Sequence, residues 1–183
     1  MKRLIVAILL NLVFAACFSQ NVYMTRNGQI SFYSKTPMEN IEAINNEVNS
    51  MLNPSTGDIV FAVLIKSFRF ERALMEEHFN ENYMESAKLP KSTFQGKITN
   101  LKDVDFRKDG TYAATVEGDI VVHGVKQRIK SSGTIVVAKG KIAVVSAFSL
   151  DPKDFNIEIP SLVAEKIAKT IDVKINCHYE PKS

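Results

Sequence analysis

The chain has 183 residues, 45% of them hydrophobic and 23% charged, which is the composition of one ordinary globular domain and excludes a disordered or low-complexity chain. The formal net charge is only +3, from 23 basic and 20 acidic side chains, and Lys2 and Arg3 supply part of that excess. Binding to nucleic acid through phosphate neutralisation therefore has no support in the composition.

The first residues, 1–19, have the pattern of a secretory signal peptide. Lys2 and Arg3 precede a stretch from Leu4 to Phe18 that is apolar apart from Asn11, and this stretch is too short for a comfortable membrane span of about 20 residues. We favour cleavage before Gln20, which leaves residues 20–183 as one periplasmic or secreted domain without a transmembrane span. The alternative is a degenerate lipobox, which would anchor the protein through a lipid on Cys17.

Cleavage before Gln20 leaves Cys177 as the one cysteine of the mature chain. An intramolecular disulfide is excluded in either case, because lipidation would use the thiol of Cys17. Cys177 lies on the apolar side of an alternating run, which predicts a buried and unreactive thiol.

The mature sequence alternates between apolar and polar residues over long runs. In residues 114–122, for example, Ala114, Val116 and Ile120 oppose Thr115, Glu117 and Asp119. This period of two is typical of antiparallel strands that have one buried face and one solvated face. The predicted strands are 22–26, 29–36, 39–50, 58–66, 92–100, 111–123, 126–138, 141–149 and 169–179, with turns at Asn27-Gly28, 54–58, 108–110, His123-Gly124 and Lys139-Gly140.

Long neighbouring strands joined by tight turns favour a meander that closes into a barrel, because closure removes exposed sheet edges. The predicted fold class is therefore all-β with a minor helix: an antiparallel barrel of eight or more strands.

Two segments break the alternation. Residues 71–86 lack Gly and Pro and place Met75, Phe79 and Tyr83 four residues apart, which predicts a helix or a pair of helical turns with one apolar stripe. Residues 159–170 predict a second, short helix, with Pro160 in its first turn and Leu162, Val163 and Ile167 on its apolar face.

The predicted strand 58–66 is apolar on both faces, so both faces need cover. We favour a barrel interior on one side with the helix of 71–86 on the other, or a central strand of a sandwich. The alternative is an exposed patch for a membrane or a protein partner.

Small residues interrupt several inward faces, and they permit two interpretations. They could create a ligand cavity, or they could relieve crowding between bulky neighbours. The residues concerned are Gly96, Ala114, Gly118, Ser131, Gly133 and Ser146.

The sequence contains no catalytic signature. His78, His123 and His178 are dispersed, without metal-ligand spacing, and we interpret each as a solvated or helix-face histidine. A nucleophile elbow, a phosphate-binding Gly loop and a dinucleotide fingerprint are all missing from the sequence. We therefore predict a protein that is not an enzyme and that has neither a metal site nor a cofactor.

Three stretches resemble the YceI-like family, across about residues 30–179. They are Ser67–Phe70 with Met75–Phe79 and Leu89–Phe94, then Val116–Val125, and more weakly Phe148–Ile157. The chain departs from the family pattern at Leu89, where Tyr is usual, at Lys126–Arg128, and at Pro152 and Asn156. The resemblance implies a lipocalin-like barrel that binds a lipid or polyisoprenoid, with a helix covering one end.

The resemblance implies a hydrophobic or amphiphilic lipid as the partner: a polyisoprenoid, a quinone or a fatty-acyl chain. By alternation, the candidate lining residues are Phe61, Val63, Ile65, Phe94, Ile98, Val116, Ile120, Ile135, Val144, Phe148, Val173 and Ile175, and the lid candidates are Met75, Phe79 and Tyr83. The alternative is a filled barrel that acts as a protein-interaction or stress-associated module and contacts its partner through Phe68 or Phe70. A homodimer is also compatible with the sequence.

Overall fold

The computed structural model describes residues 22–182. The predicted signal peptide, residues 1–19, and the alternative lipidation site at Cys17 lie outside the described residues.

The described chain is built almost entirely of antiparallel strands. Its elements are β1 (Tyr23–Lys35), β2 (Asn40–Leu52), β3 (Asp58–Leu64), β4 (Arg69–Phe70), α1 (Ala73–His78), β5 (Lys91–Ile98), β6 (Gly110–Val122), β7 (Val125–Ala138), β8 (Lys141–Leu150) and β9 (Ile171–Pro181). Short 3-10 turns occur at Ile65–Ser67, Leu101–Asp103, Pro152–Phe155 and Ser161–Val163, and a π-helical turn, Phe79–Tyr83, follows α1.

Eight strands form a closed barrel. The order around it is β1-β9-β8-β7-β6-β5-β3-β2, and β2 pairs with β1 again to close the sheet. Every pairing is antiparallel, so these strands leave no long open edge. The predicted fold class, an eight-stranded antiparallel barrel with a minor helix, is confirmed, and the sandwich alternative is wrong.

Strand β2 changes partners along its length. Its C-terminal residues, Asn49 to Leu52, pair with β3, whereas Ala43 and Ile44 pair with the two-residue β4. In the gap between them, the buried Asn45 side chain donates a hydrogen bond from Nδ2 to the Leu64 carbonyl at 2.9 Å. The side chain thereby replaces a ladder bond at the point where the chain leaves the barrel wall.

The predicted turn at Asn27-Gly28 is wrong, because these residues lie inside the single strand β1. Register shifts on both sides of Gly28 mark a bulge. A Cβ atom at Gly28 would come within 2.5 Å of the Cys177 Sγ. The glycine therefore permits a close approach between β1 and β9 and does not reverse the chain.

The two ends of the barrel differ. At one end, which we call the upper end, lie the 36–39 turn, the 65–90 segment, the His123-Gly124 hairpin and the 151–170 segment. The lower end has the short 53–57 and 139–140 turns and the 99–109 loop. Near that end the barrel is closely filled by fully buried side chains, among them Leu52, Ile142 and Tyr179.

The helix predicted for residues 71–86 is present as α1 followed by the π-helical turn, over residues 73–83. The second predicted helix, 159–170, is wrong: only the 3-10 turn Ser161–Val163 forms, and Leu162 is 94% exposed. The backbone N–H of Ala168 instead donates to the Ser34 Oγ at 2.8 Å, which attaches an irregular segment to β1. Of the predicted apolar face, Val163 and Ile167 face the barrel end, and Leu162 does not.

Strand β3 faces the barrel interior with Ile59, Phe61 and Val63, which are all buried. The helix does not cover its other face, contrary to our expectation, because α1 lies over the upper end. Leu64 is 39% exposed, and Met51, which is paired with Val60 on β2, is 42% exposed. Within residues 22–182, no helix is both long enough and apolar enough to cross a membrane.

Candidate ligand-binding cavity

The upper half of the barrel encloses a cavity of about 560 Å³. Inward side chains of the strands form its walls, and residues of the 65–90 and 151–170 segments form its rim. Leu74 at the rim is 60% exposed, and Lys166 is exposed as well. The cavity therefore opens at the upper end, and its volume lies in the usual range for small-molecule sites, roughly 300–1,000 Å³.

The structure places most of the predicted lining residues on the cavity wall. Phe61, Val63, Ile65, Phe94, Val116, Ile120, Val144, Phe148, Val173 and Ile175 all line it. Ile98 and Ile135 lie deeper, where they line a separate void of about 30 Å³. Period-two alternation assigns a residue to the interior, but it carries no information about depth, so it cannot separate cavity wall from packed floor. Contact with a ligand stays a prediction for every one of these residues.

The lid candidates Met75, Phe79 and Tyr83 also line the cavity, at its mouth. Phe79 belongs to an aromatic cluster whose contacts are not apparent from the sequence. Its ring lies 5.3 Å from Phe32, 5.7 Å from Phe68 and 5.1 Å from Phe70, measured between centroids. These rings attach the lid to β1 and to the segment before α1, in the tilted and edge-on geometries that aromatic pairs prefer.

Phe68 and Phe70, two members of this aromatic cluster, are the partner contacts in the alternative of a protein-interaction module. Phe68 is 6% exposed and Phe70 is half-buried, and both line the cavity. Their burial argues against that alternative contact. Alternation could not reveal their orientation, because residues 65–70 leave the regular strand through a 3-10 turn.

Charged side chains on the cavity lining are confined to its mouth. They are Glu39, Arg72 and Lys166, and none of them lies on the barrel strands of the described chain. Arg72 forms an ion pair with Glu39, which joins the start of the helix to the 36–39 turn. A ligand with a charged head group would keep that group at the mouth, because an unpaired charge in the apolar interior is costly.

His123 is less exposed than predicted, with 13% of its side chain accessible. Its Nδ1 lies 3.1 Å from the Phe155 carbonyl oxygen, to which it donates, and its Nε2 lies 3.4 Å from a Glu85 carboxylate oxygen. The interpretation of His123 as a solvated residue is therefore wrong. It joins the β6–β7 hairpin to the 151–170 segment by a hydrogen bond and lies beside Glu85 of the 65–90 segment. His78 and His178 are exposed, as predicted.

Lys88 favours the ionised form of Glu85. A hydrogen bond from Lys88 and the charge of Lys88 lower the pKa of the Glu85 carboxyl. Within residues 22–182, no three His, Cys, Asp or Glu side chains are grouped so that they could hold a metal ion.

The small inward residues have two different roles. Gly96 and Gly118 are directly paired, and a Cβ at either position would come within 2.6 Å of the Phe94 ring. These two glycines give Phe94 room to lie against the sheet. Ser131 and Ser146, in contrast, line the cavity itself. Relief of crowding therefore applies to Gly96 and Gly118, whereas Ser131 and Ser146 border the cavity.

The model of the YceI-like domain matches residues 23–179 of this chain. The chain therefore belongs to the YceI-like family. No curated protein matches the sequence.

Solved structures with the same fold share little sequence with this chain. A polyisoprenoid binding domain from Saccharophagus degradans, implicated in plant cell wall breakdown, is 13% identical, with a TM-score of 0.77 over 89% of this chain and 99% of that one. BcnA of Burkholderia cenocepacia is 12% identical, with a TM-score of 0.69 over 83% and 95%. The YceI protein of Campylobacter jejuni is 17% identical, with a TM-score of 0.61 over 77% and 85%. At these identities the likeness concerns the fold.

Proposed function

We propose that this YceI-like protein binds an amphiphilic lipid of the polyisoprenoid, quinone or fatty-acyl type inside its barrel and carries or sequesters it without catalysis. The observation that supports this function most directly is the cavity of about 560 Å³, which has an apolar wall and charged side chains only at its mouth. This distribution of polarity matches a ligand with a long apolar body and a more polar end.

The wall provides the binding energy in this proposal. Inward Ile, Val and Phe side chains from β1, β3, β5, β6, β8 and β9 surround the space, and each methylene that a ligand transfers from water into it contributes ~0.8 kcal/mol. Affinity then grows with chain length until the cavity is full. Because the wall offers few polar contacts, we expect it to accept ligands of different chain lengths.

The same cavity argues against the filled-barrel alternative, since the upper half of the barrel is open and not packed with side chains. The polyisoprenoid-binding description of the S. degradans domain supports an isoprenoid ligand by analogy of fold. We propose a periplasmic or secreted location on the basis of the signal-like residues 1–19.

The test is to purify the full chain without detergent from the envelope fraction of its own cells, extract it with organic solvent and identify lipids by mass spectrometry. Stoichiometric polyprenyl, quinone or acyl species are expected. A variant with the cavity filled, Val116→Trp with Ile120→Trp, serves as the matched control and should yield no lipid. Repeated absence of lipid from the folded wild-type protein would overturn the proposal.

A further inference from the structure

The cavity wall contains one polar feature away from the mouth, a pair of serines. Ser131 on β7 and Ser146 on β8 both line the cavity, and they are the only polar lining residues on β6, β7, β8 and β9. Both serines also line the small void that lies deeper in the barrel. The pair therefore marks the point where the open cavity meets the packed floor.

The hydrogen bonds of this pair leave an acceptor free. Ser146 Oγ donates to the Ser132 carbonyl at 3.0 Å, and Ser131 Oγ lies 2.8 Å from Ser146 Oγ. Ser131 Oγ also lies 3.5 Å from the Ser132 carbonyl oxygen, so either hydroxyl can be the donor in the bond between the two serines. Each hydroxyl oxygen has two acceptor lone pairs, and the bond between the serines uses only one of these four, so the pair keeps unused acceptor lone pairs whichever serine donates.

The surroundings determine which chemical group fits there. The neighbouring side chains Val116, Ile129 and Val144 are apolar, and the charged lining residues are all at the mouth. A carboxylate or phosphate at this depth would lack a countercharge, so its desolvation would be costly. A neutral hydroxyl can donate to one of these serine oxygens at little cost, because it carries no charge that would need a countercharge.

We infer that Ser131 and Ser146 form a polar subsite at the floor of the cavity that selects ligands carrying an uncharged alcohol or phenol hydroxyl on an apolar body. The inference rests on the proposed function and adds a substrate class and an orientation to it. The hydroxyl-bearing end of the ligand enters first, the apolar chain extends toward Phe79, and a charged head group, where the ligand has one, stays at the mouth.

The experiment compares two probes that differ in one hydroxyl, 1-hexadecanol and n-hexadecane, by displacement of a fluorescent apolar dye from the full chain. S131A is expected to weaken hexadecanol binding about two- to tenfold, the effect of losing one ordinary hydrogen bond, without weakening hexadecane binding. S131T keeps the hydroxyl and should keep the preference. S132A is the matched control and should change neither affinity, because the Ser132 side chain is exposed and does not line the cavity.

The outcomes separate the two proposals. Equal binding of both probes by the wild-type protein, or an equal loss of both in S131A, would overturn the serine subsite and leave lipid binding intact. A loss of hexadecanol binding in S92A, on the β5 part of the lining, but not in S131A would overturn it too, because the hydroxyl would then lie elsewhere on the wall. Failure of the wild-type protein to bind either probe would contradict the proposed function itself.

Discussion

The Tyr179 hydroxyl lies 2.6 Å from Ser50 Oγ in the interior of the barrel. Ser50 also donates to the Val60 carbonyl at 2.7 Å, so the tyrosine is the donor in the shorter bond. Tyr179 is on β9 and Ser50 on β2, and β1 lies between these strands in the sheet. This hydrogen bond therefore joins strands that are not neighbours and stabilises the lower end below the cavity.

This geometry predicts an order of destabilisation for two substitutions. Tyr179→Phe leaves Ser50 bonded to Val60, so we expect a loss of about 1 kcal/mol in the free energy of unfolding. Ser50→Ala leaves the buried tyrosine hydroxyl without an acceptor, which costs about 1–3 kcal/mol. Urea denaturation measures both values. A smaller loss for Ser50→Ala than for Tyr179→Phe would contradict the assignment of donor and acceptor.

Stability is expected to fall in alkaline solution because of buried groups beside this bond. Burial raises the pKa of the Cys177 thiol from 9.0 to about 12, and it also raises the pKa of the Tyr179 phenol. The folded thiol keeps its proton between pH 9 and 12, whereas the unfolded thiol loses it. The stabilisation is therefore complete below pH 9 and decreases as the pH rises, by about 1.4 kcal/mol per pH unit for each such group.

The measurement is the free energy of unfolding between pH 8 and 10.5 in the wild-type protein and in Cys177→Ala. The variant should show a shallower decline above pH 9, because one titrating group is gone. An identical slope in both proteins would contradict the contribution of Cys177. The wild-type thiol should also resist alkylation at pH 8 until the protein is unfolded, since it is fully buried and protonated.

Filling the cavity should abolish lipid binding without unfolding the barrel. Val116→Trp with Ile120→Trp places two large rings in space that the wall residues now border. We expect at least a tenfold loss of affinity for an apolar probe, with far-UV circular dichroism unchanged. Val145→Trp is the matched control, because Val145 is on β8 next to the lining residue Val144 but is 47% exposed on the outer face. Equal binding by both variants would place the ligand outside the barrel.

His123 is expected to control ligand exchange because it joins the β6–β7 hairpin to the 151–170 segment at the mouth. His123→Ala removes the hydrogen bond to the Phe155 carbonyl, so we expect a loss of about 1 kcal/mol in stability and faster release of a bound probe. His178→Ala changes an exposed side chain of β9 and should affect neither quantity. Unchanged release from the His123 variant, measured by stopped flow, would exclude this role.

Much of the barrel could be predicted from the sequence, because alternation is a local property of each strand. Residues such as Val116, Ile120 and Val144 were assigned to the interior from period two alone, and the structure places them on the cavity wall. The burial of Cys177 followed from the same pattern. Where the backbone is regular, the face of a side chain depends only on its position along the strand.

Errors occurred where the backbone is irregular or where partners are distant in sequence. Gly28 resembled a turn residue, but it permits a bulge against Cys177, which is far along the chain. The spacing of Val163 and Ile167 resembled a helix, although the segment is held to β1 by Ser34. The Phe32–Phe79 contact and the Ser131–Ser146 pair likewise depend on how distant segments pack and how the strands pair.

Sequence alone determined which residues face inward, because this requires only local periodicity. Only the tertiary structure decided which inward residues pack together and which border open space, because that depends on contacts between distant parts of the chain.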